Sequence, residues 1–242
     1  MVLLLAAVLS VAAGLLALVV VRRWPKADPA LSASESIGAT VQRHPRSRSF
    51  LRSRMDPSTA TGLALTLALV GIVVAGAIVG LFSWMIRRDS GVVDIDVAIE
   101  RWAEAQASSS TDAVLEGLTH AGDTETIVVV AIVVGMFGFW RWRRWAVPLF
   151  VLLVVVGQSL ISNTIKIVID RARPELRPRA DFTGTSFPSG HTTAATATYL
   201  AVAVVLAIGT SPRIRAALVG AAVAIGVTVA CTRVFLGVHF FS

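Results

Sequence analysis

Long apolar runs separated by short polar segments dominate the chain and set its architecture. The first run, Val2–Val21, contains no charged residue. Five further runs contain only two charges, Lys166 and Arg233, and lie at about 62–86, 126–140, 146–169, 193–209 and 216–236. Because a helix of about 20 apolar residues spans the hydrocarbon core of a bilayer, the pattern predicts an all-α, polytopic transmembrane helix bundle with about six spans.

The composition supports that class and excludes a water-soluble domain. The 242 residues are 55% hydrophobic and 15% charged. The first run has no basic segment before it and leads directly into Arg22 and Arg23. This favours an N-terminal transmembrane anchor at 1–22 over the alternative, a cleaved secretory signal. The single cysteine, Cys231, excludes a disulfide within the chain and a cysteine-based metal cluster.

The placement of charge predicts how the spans are oriented. A net charge of +7 and a pI near 11.1 would suit a nucleic-acid partner, but the basic residues cluster in membrane loops, so no such partner is expected. Residues 23–58 are rich in arginine, whereas the loop 89–124 is mostly acidic. The positive-inside rule therefore predicts a basic cytoplasmic linker at 23–58, able to bind anionic lipid head groups, and a membrane core at 59–242.

The acidic outer loop is expected to carry short amphipathic helices that lie on the membrane surface. Apolar residues recur along it in two groups. These are Val93, Ile95, Val97 and Ile99, followed by Val114, Leu115 and Leu118. On the cytoplasmic side, Trp140, Trp142 and Trp145 alternate with arginines and predict an interfacial belt.

Three polar segments interrupt the apolar pattern, and the predicted topology brings all three to the outer face. The first contains Lys166 and Arg173, which are seven residues apart and share one face of a continuous helix. The second, Phe187–His191, opens a span, where a serine cap and free backbone N–H groups suit an anion. The third places Arg233 in the last span and His239 just after it.

Each segment alone also has a purely structural explanation. Lys166 would then be a lysine whose amine reaches the membrane interface. The segment at His191 would be a helix cap, and Arg233 would pair with a carboxylate of a loop. Their convergence on one membrane face favours a shared anion site instead.

Together the three segments resemble the type 2 phosphatidic acid phosphatase superfamily, the membrane-integral lipid phosphate phosphatases. The shared pattern is Lys, six residues, Arg-Pro; then Pro-Ser-Gly-His; then Arg, five residues, His; and the likeness covers about residues 60–242. The resemblance implies a core of six membrane helices. This chain would hold five of them behind one extra N-terminal span.

The resemblance also implies roles for the residues. His239 would be the nucleophile that forms a phosphohistidine, and His191 the general acid for the leaving group. The phosphoryl oxygens would be held by Lys166, Arg173, Ser189, Gly190 and Arg233. Since cations and N–H donors stabilise a phosphoryl group electrostatically, neither a metal nor another cofactor is expected.

The alternative of a divalent metal site lacks support from ligand spacing. Its candidate ligands, Asp170, Glu175 and Asp181, lie in one loop without a recognisable pattern.

Two positions depart from the family pattern. An Asp is expected four residues after His239, at position 243, one past Ser242. The sixth core helix would also follow there, so we expect the core to be truncated at its C-terminus. Thr232 stands where the family usually has Ser, and it keeps the hydroxyl group.

The predicted function is hydrolysis of the terminal phosphate of a lipid by a metal-independent phosphatase of the cell membrane, with its active site on the extracytoplasmic face. Candidate substrates are an isoprenoid carrier diphosphate, phosphatidate and phosphatidylglycerol phosphate. Two alternatives stay open: a lipid phosphotransferase, and a catalytically silent membrane protein that binds or transports phospholipid. The sequence decides neither the lipid nor the oligomeric state.

Overall fold

The computed structural model describes residues 1–23, 80, 81, 84, 92–169 and 186–240. Met1–Arg22 and Gly91–Ser242 form one compact unit, and Arg23–Ser90 forms a second. The second unit contains the predicted linker and the candidate span at 62–86, which lie almost entirely outside the described residues.

Seven α-helices account for most of the described residues, which contain no β-strand. A 3₁₀ turn, His120–Gly122, joins the third helix to the fourth. The helices are α1 (Val2–Arg23), α2 (Val92–Ala105), α3 (Ser109–Thr119), α4 (Thr124–Trp142), α5 (Ala146–Ile169), α6 (Gly190–Ala207) and α7 (Pro212–Phe235).

Five of these helices, α1, α4, α5, α6 and α7, are long and apolar enough to cross a membrane. They confirm five of the six predicted spans and the all-helical fold class. Helices α6 and α7 begin three or four residues before the apolar runs that predicted them. The reason is that each starts at a serine N-cap, Ser189 or Ser211, and its polar first turn does not register as part of an apolar run.

The outward faces of α4 and α5 are covered with exposed apolar side chains. Val129, Val133 and Met136 project from α4, and Leu153 and Ile161 from α5. An exposed apolar surface of this extent is unfavourable in water but matches the hydrocarbon of a bilayer. The protein is therefore integral to a membrane.

The centre of the bundle is formed by α6 and α7, which pack along each other, with α4 and α5 against α6. Small residues allow the close approach: a Cβ atom added at Gly226 of α7 would lie 2.7 Å from Thr196 Oγ1 of α6. The buried face of α6 is likewise made of small residues, including Ala194, Ala195 and Ala201. Close packing of this kind drives helix association inside membranes, where the hydrophobic effect does not act between helices.

Helix α1 packs against α7 along a stripe of residues spaced by four. Its buried positions are Val2, Ala6, Ser10 and Gly14. A Cβ added at Gly14 would lie 2.8 Å from the carbonyl oxygen of Gly220. One turn earlier in α1, the hydroxyl oxygens of Ser10 and Thr228 are 2.9 Å apart. The N-terminal span is thus a packed member of the bundle.

Helices α2 and α3 form in the loop where amphipathic helices were predicted. Both also contact the end of α7. Leu115 of α3 is 1% exposed and belongs to an apolar cluster with Phe235, Leu236 and Val238 at the end of α7. Trp102 of α2 stacks edge-on against Phe235, with ring centroids 6.0 Å apart. The apolar side of α3 thus packs at Leu115 against the end of α7.

We predict opposite effects of alanine at two glycines within spans. Gly14→Ala should lower the thermal unfolding midpoint in detergent, because its methyl group meets a backbone carbonyl that cannot move away, at a cost of about 1–3 kcal/mol. Gly157→Ala is the matched control, because no atom lies within 4 Å of the added Cβ and alanine favours the helix by about 0.5–1 kcal/mol. Equal midpoints for the two variants would contradict the α1–α7 packing.

Candidate active site

The first turn of α6 carries the second predicted motif and has the geometry of a capped helix start. Ser189 is extended (φ −65°, ψ 116°), and its hydroxyl accepts a hydrogen bond from the backbone N–H of Thr192 at 3.4 Å. The Thr193 hydroxyl donates to the Ser189 carbonyl oxygen at 2.9 Å. The cap fixes the direction of α6, and the N–H groups of such a first turn point along the helix axis toward any anion placed there.

Lys166 lies against this helix start. It is in the last turn of α5, and a Cβ added at Gly190 would be 3.3 Å from its Nζ atom. One turn before it, the buried Ser162 has its hydroxyl 3.5 Å from that of Thr193. Lys166 and the Ser189–Gly190 segment, predicted from separate motifs, are therefore neighbours.

Arg233 is almost completely buried at the end of α7. Its side chain and backbone are 2% exposed, and its Nη1 donates to the hydroxyl of Thr119, the last residue of α3, at 3.3 Å. Burying a guanidinium costs several kcal/mol unless it is matched by polar or anionic partners. An arginine in this position therefore suits an anion that enters beside it.

His239 follows in the tight turn after α7. The backbone N–H groups of Val238 and His239 both donate to the Arg233 carbonyl oxygen at 3.2 Å, and Gly237 supplies the positive φ of 69° that the turn needs. The imidazole is 5% exposed, and its Nδ1 lies 2.5 Å from the Ser186 carbonyl oxygen. Because a carbonyl only accepts hydrogen bonds, Nδ1 carries a proton, and in the neutral ring Nε2 therefore carries the lone pair.

His191 occupies the first turn of α6 and contacts the turn before α4. Its Nε2 lies 3.0 Å from one carboxylate oxygen of Asp123, and the other oxygen is 2.6 Å from Nδ1 of His120. Lys166 and Arg233 both lie within electrostatic range of the His191 ring. The structure thus gathers side chains from all three predicted motifs at one end of the bundle.

Six of the seven predicted site residues lie in this cluster. The seventh, Arg173, cannot be located. Arg173 lies outside the described residues, as do the alternative metal ligands Asp170, Glu175 and Asp181.

Sequence reasoning missed three groups that contact the predicted residues and a fourth, the His120 ring, that contacts one of the three. These are the Asp123 carboxylate, the His120 ring, the Thr119 hydroxyl and the Ser186 carbonyl. Asp123 had a usable signal, because it directly precedes an apolar span on the same predicted face as His191. The other three depend on long-range packing, and no local pattern marks them.

Comparison with known proteins agrees with this picture. Residues 147–242 match the family model of the PAP2 superfamily. The chain is 29% identical over 156 residues to phosphatidylglycerophosphatase B of Bacillus subtilis (strain 168), an alignment that covers 62% of this chain and 75% of the relative.

A solved structure is also similar to this chain. It is a transmembrane PAP2-type phosphatidylglycerolphosphate phosphatase from Bacillus subtilis, with a TM-score of 0.62 and 28% identity over 68% of this chain and 84% of that one. The resemblance inferred from the three motifs is therefore confirmed. The chain has the fold of a transmembrane PAP2-type enzyme and is a membrane-integral lipid phosphate phosphatase.

We predict that Gly122→Ala damages the site. A Cβ at Gly122 would lie 2.9 Å from the His191 carbonyl oxygen and 3.0 Å from the His191 Cβ, so the turn and α6 would have to separate. Thermal stability should fall by about 1–3 kcal/mol, and phosphate release should fall with it. Gly117→Ala in α3, where the added Cβ meets no atom within 4 Å, is the control and should retain wild-type activity. Wild-type activity and stability in Gly122→Ala would contradict the close contact.

Proposed function

We propose that this chain removes the phosphate of a membrane lipid at the extracytoplasmic face, and that phosphatidylglycerol phosphate is its preferred substrate. The names of the relative and of the similar solved structure support this lipid. Phosphatidate and an isoprenoid carrier diphosphate are the competing substrates, since a site that holds a phosphoryl group does not by itself distinguish the lipid behind it.

The observation that carries the proposal is the hydrogen bond between His239 Nδ1 and the Ser186 carbonyl oxygen at 2.5 Å. It holds the ring in the tautomer whose Nε2 has a lone pair, which a nucleophile requires. The same turn ties His239 to the backbone of Arg233. The proposed nucleophile and the proposed phosphate ligand therefore move as one unit.

The proposed reaction has two steps. In the first, His239 Nε2 attacks phosphorus, the bond from phosphorus to the lipid oxygen breaks, and His191 gives that oxygen a proton. In the second, water attacks the phosphohistidine, the P–N bond breaks, and His191 takes the proton of the water. The products are the dephosphorylated lipid and inorganic phosphate, and both histidines return to their initial states.

Positive groups of this chain would stabilise the phosphoryl group in both steps. Lys166, Arg233 and the N–H groups at Ser189–Gly190 are the described candidates, and Arg173 is added by family resemblance. Fixed cations and N–H donors in a site shielded from water stabilise developing charge without reorganising. On this mechanism the chemistry needs no metal ion.

The first test changes the proposed nucleophile. His239→Ala should lower phosphate release from phosphatidylglycerol phosphate by about 10³-fold or more, measured in detergent with excess chelator. Wild-type protein given substrate labelled in its terminal phosphate should form an acid-labile, alkali-stable phosphoprotein, and His239→Ala should not. His44→Ala, in the predicted linker, is the control and should match the wild type.

Activity of His239→Ala within tenfold of wild type would refute the nucleophile. A higher kcat/KM for phosphatidate or an isoprenoid diphosphate would refute the preferred lipid alone. Phosphoprotein without inorganic phosphate as product would favour the phosphotransferase, and absence of both would favour the silent binding protein.

The second test concerns the side of the membrane, which the proposal takes from loop charge. Cysteine at Ser109, an exposed position at the start of α3, should react with a membrane-impermeant thiol reagent in intact cells. Cysteine at Ser47, in the basic linker, should react only after lysis. The native Cys231 is buried and should contribute little background. The reverse pattern would move the active site to the cytoplasmic face.

A further inference from the structure

The turn between α3 and α4 brings a carboxylate and a second histidine to His191. Asp123 lies between the two rings, with one oxygen 3.0 Å from Nε2 of His191 and the other 2.6 Å from Nδ1 of His120. Side-chain exposure rises along this row, from 27% for His191 to 33% for Asp123 and 68% for His120. The row therefore leads from the proposed general acid to the solvent-exposed surface of the protein.

The side chain of Asp123 does not cap the helix that it precedes. Asp123 is the N-cap residue of α4, where a carboxylate normally accepts a hydrogen bond from the backbone of the helix's first turn. Here the side chain makes no capping hydrogen bond. Both of its oxygens face histidines instead, so helix capping does not explain its placement.

The turn contacts α6 at two further points, both just before Asp123 in the chain. At Gly122 there is no room for a side chain, because a Cβ would lie 2.9 Å from the His191 carbonyl oxygen. The hydroxyl of Tyr199, two turns further along α6, donates to the Ala121 carbonyl oxygen at 3.1 Å. The distance between Asp123 and His191 is thus fixed by packing, not by a flexible loop.

The charges around His191 give this contact a chemical role. Lys166 of α5 and Arg233 of α7 act on the ring from two sides, and His191 also lies at the positive end of the α6 dipole. All three oppose a protonated imidazole. Asp123, from the turn before α4, is the acidic group that acts on His191 and favours the protonated ring. The three residues of the row also do not surround a common centre, and no metal-ligand group is found among the described residues.

We propose that Asp123 is a positioning residue for His191: it orients the ring and sustains the protonated form that donates to the leaving oxygen, while His120 holds the outer carboxylate oxygen. This role rests on the proposed function of His191 as general acid. It assigns a task to a segment that lies before the matched family region, 147–242.

The kinetic test uses Asp123→Asn, which keeps the size and hydrogen-bonding capacity of the side chain and removes its charge. We expect kcat for phosphatidylglycerol phosphate to fall by about tenfold or more, with KM within about threefold of wild type. The alkaline fall of kcat should begin at lower pH than in the wild type, because the protonated ring has lost its counter-charge. Glu125→Gln removes an exposed acid from the first turn of α4 and is the matched control.

A second readout does not need activity. In protein labelled with ¹⁵N-histidine, the hydrogen bond between His191 and Asp123 should give a low-field ring proton. The four histidines of the chain can be assigned by substitution. The signal should be lost in Asp123→Ala and in His191→Ala but kept in Glu125→Gln.

The outcomes separate the two proposals. Wild-type protein that releases no phosphate from any of the three lipids defeats the proposed function, and the ring proton then decides whether Asp123 positions His191. An unchanged pH profile with wild-type kcat in Asp123→Asn overturns the positioning role. So does a low-field ring proton that survives in Asp123→Ala. If Asp123→Asn lowers thermal stability but leaves the alkaline side of the kcat profile unshifted, Asp123 has a structural role only. That result would also overturn the positioning role.

Discussion

The structure depends on one constraint: a positive charge buried at the end of an apolar helix bundle needs polar partners. Arg233 is 2% exposed in the last turn of α7, whose other charges, Arg213 and Arg215, lie in its first turn. A guanidinium in that position is tolerable only if polar groups surround it. The outer helices supply that surrounding, because Thr119 of α3 accepts from Arg233 and the apolar cluster of α2, α3 and α7 closes over the same helix end. The parts of the molecule outside the spans are therefore part of the site.

The same constraint explains why the polar chemistry gathers at helix ends. Within a membrane, the backbone groups of a helix are satisfied internally, and only its termini and the following turns have free donors and acceptors. The proposed phosphate ligands use the start of α6, and His239 uses the turn after α7 together with the Ser186 carbonyl that precedes α6. Two helix ends pack side by side, so a few residues of sequence on each are enough to define the cluster.

The sequence predicted five of the described helices and several residues that the structure brings together in the candidate site, but not the contacts at the outer half of that cluster. Apolar runs locate spans because hydrocarbon allows little else, and the motif residues Lys166, His191 and Arg233 were found from spacing and topology. Asp123 was counted only as one acid of a charged loop. Its contact with His191 crosses 68 residues of chain and depends on the absence of a side chain at Gly122, which periodicity does not encode. The packing of Leu115 was not predicted for a similar reason, since its partner lies on α7.

The N-terminal span has a structural role that its sequence alone does not suggest. An apolar helix with no polar motif reads as an anchor, yet α1 meets α7 at backbone distance through Gly14 and Gly220. Helix α7 carries Arg233 at its last turn and His239 just after it. Glycine contacts of this kind leave little freedom for sliding or rotation, because any shift drives a carbonyl oxygen into the opposite helix. Helix α1 therefore restrains the axial position of the helix on which the proposed nucleophile depends, and its contribution is to the precision of the site as well as to attachment to the membrane.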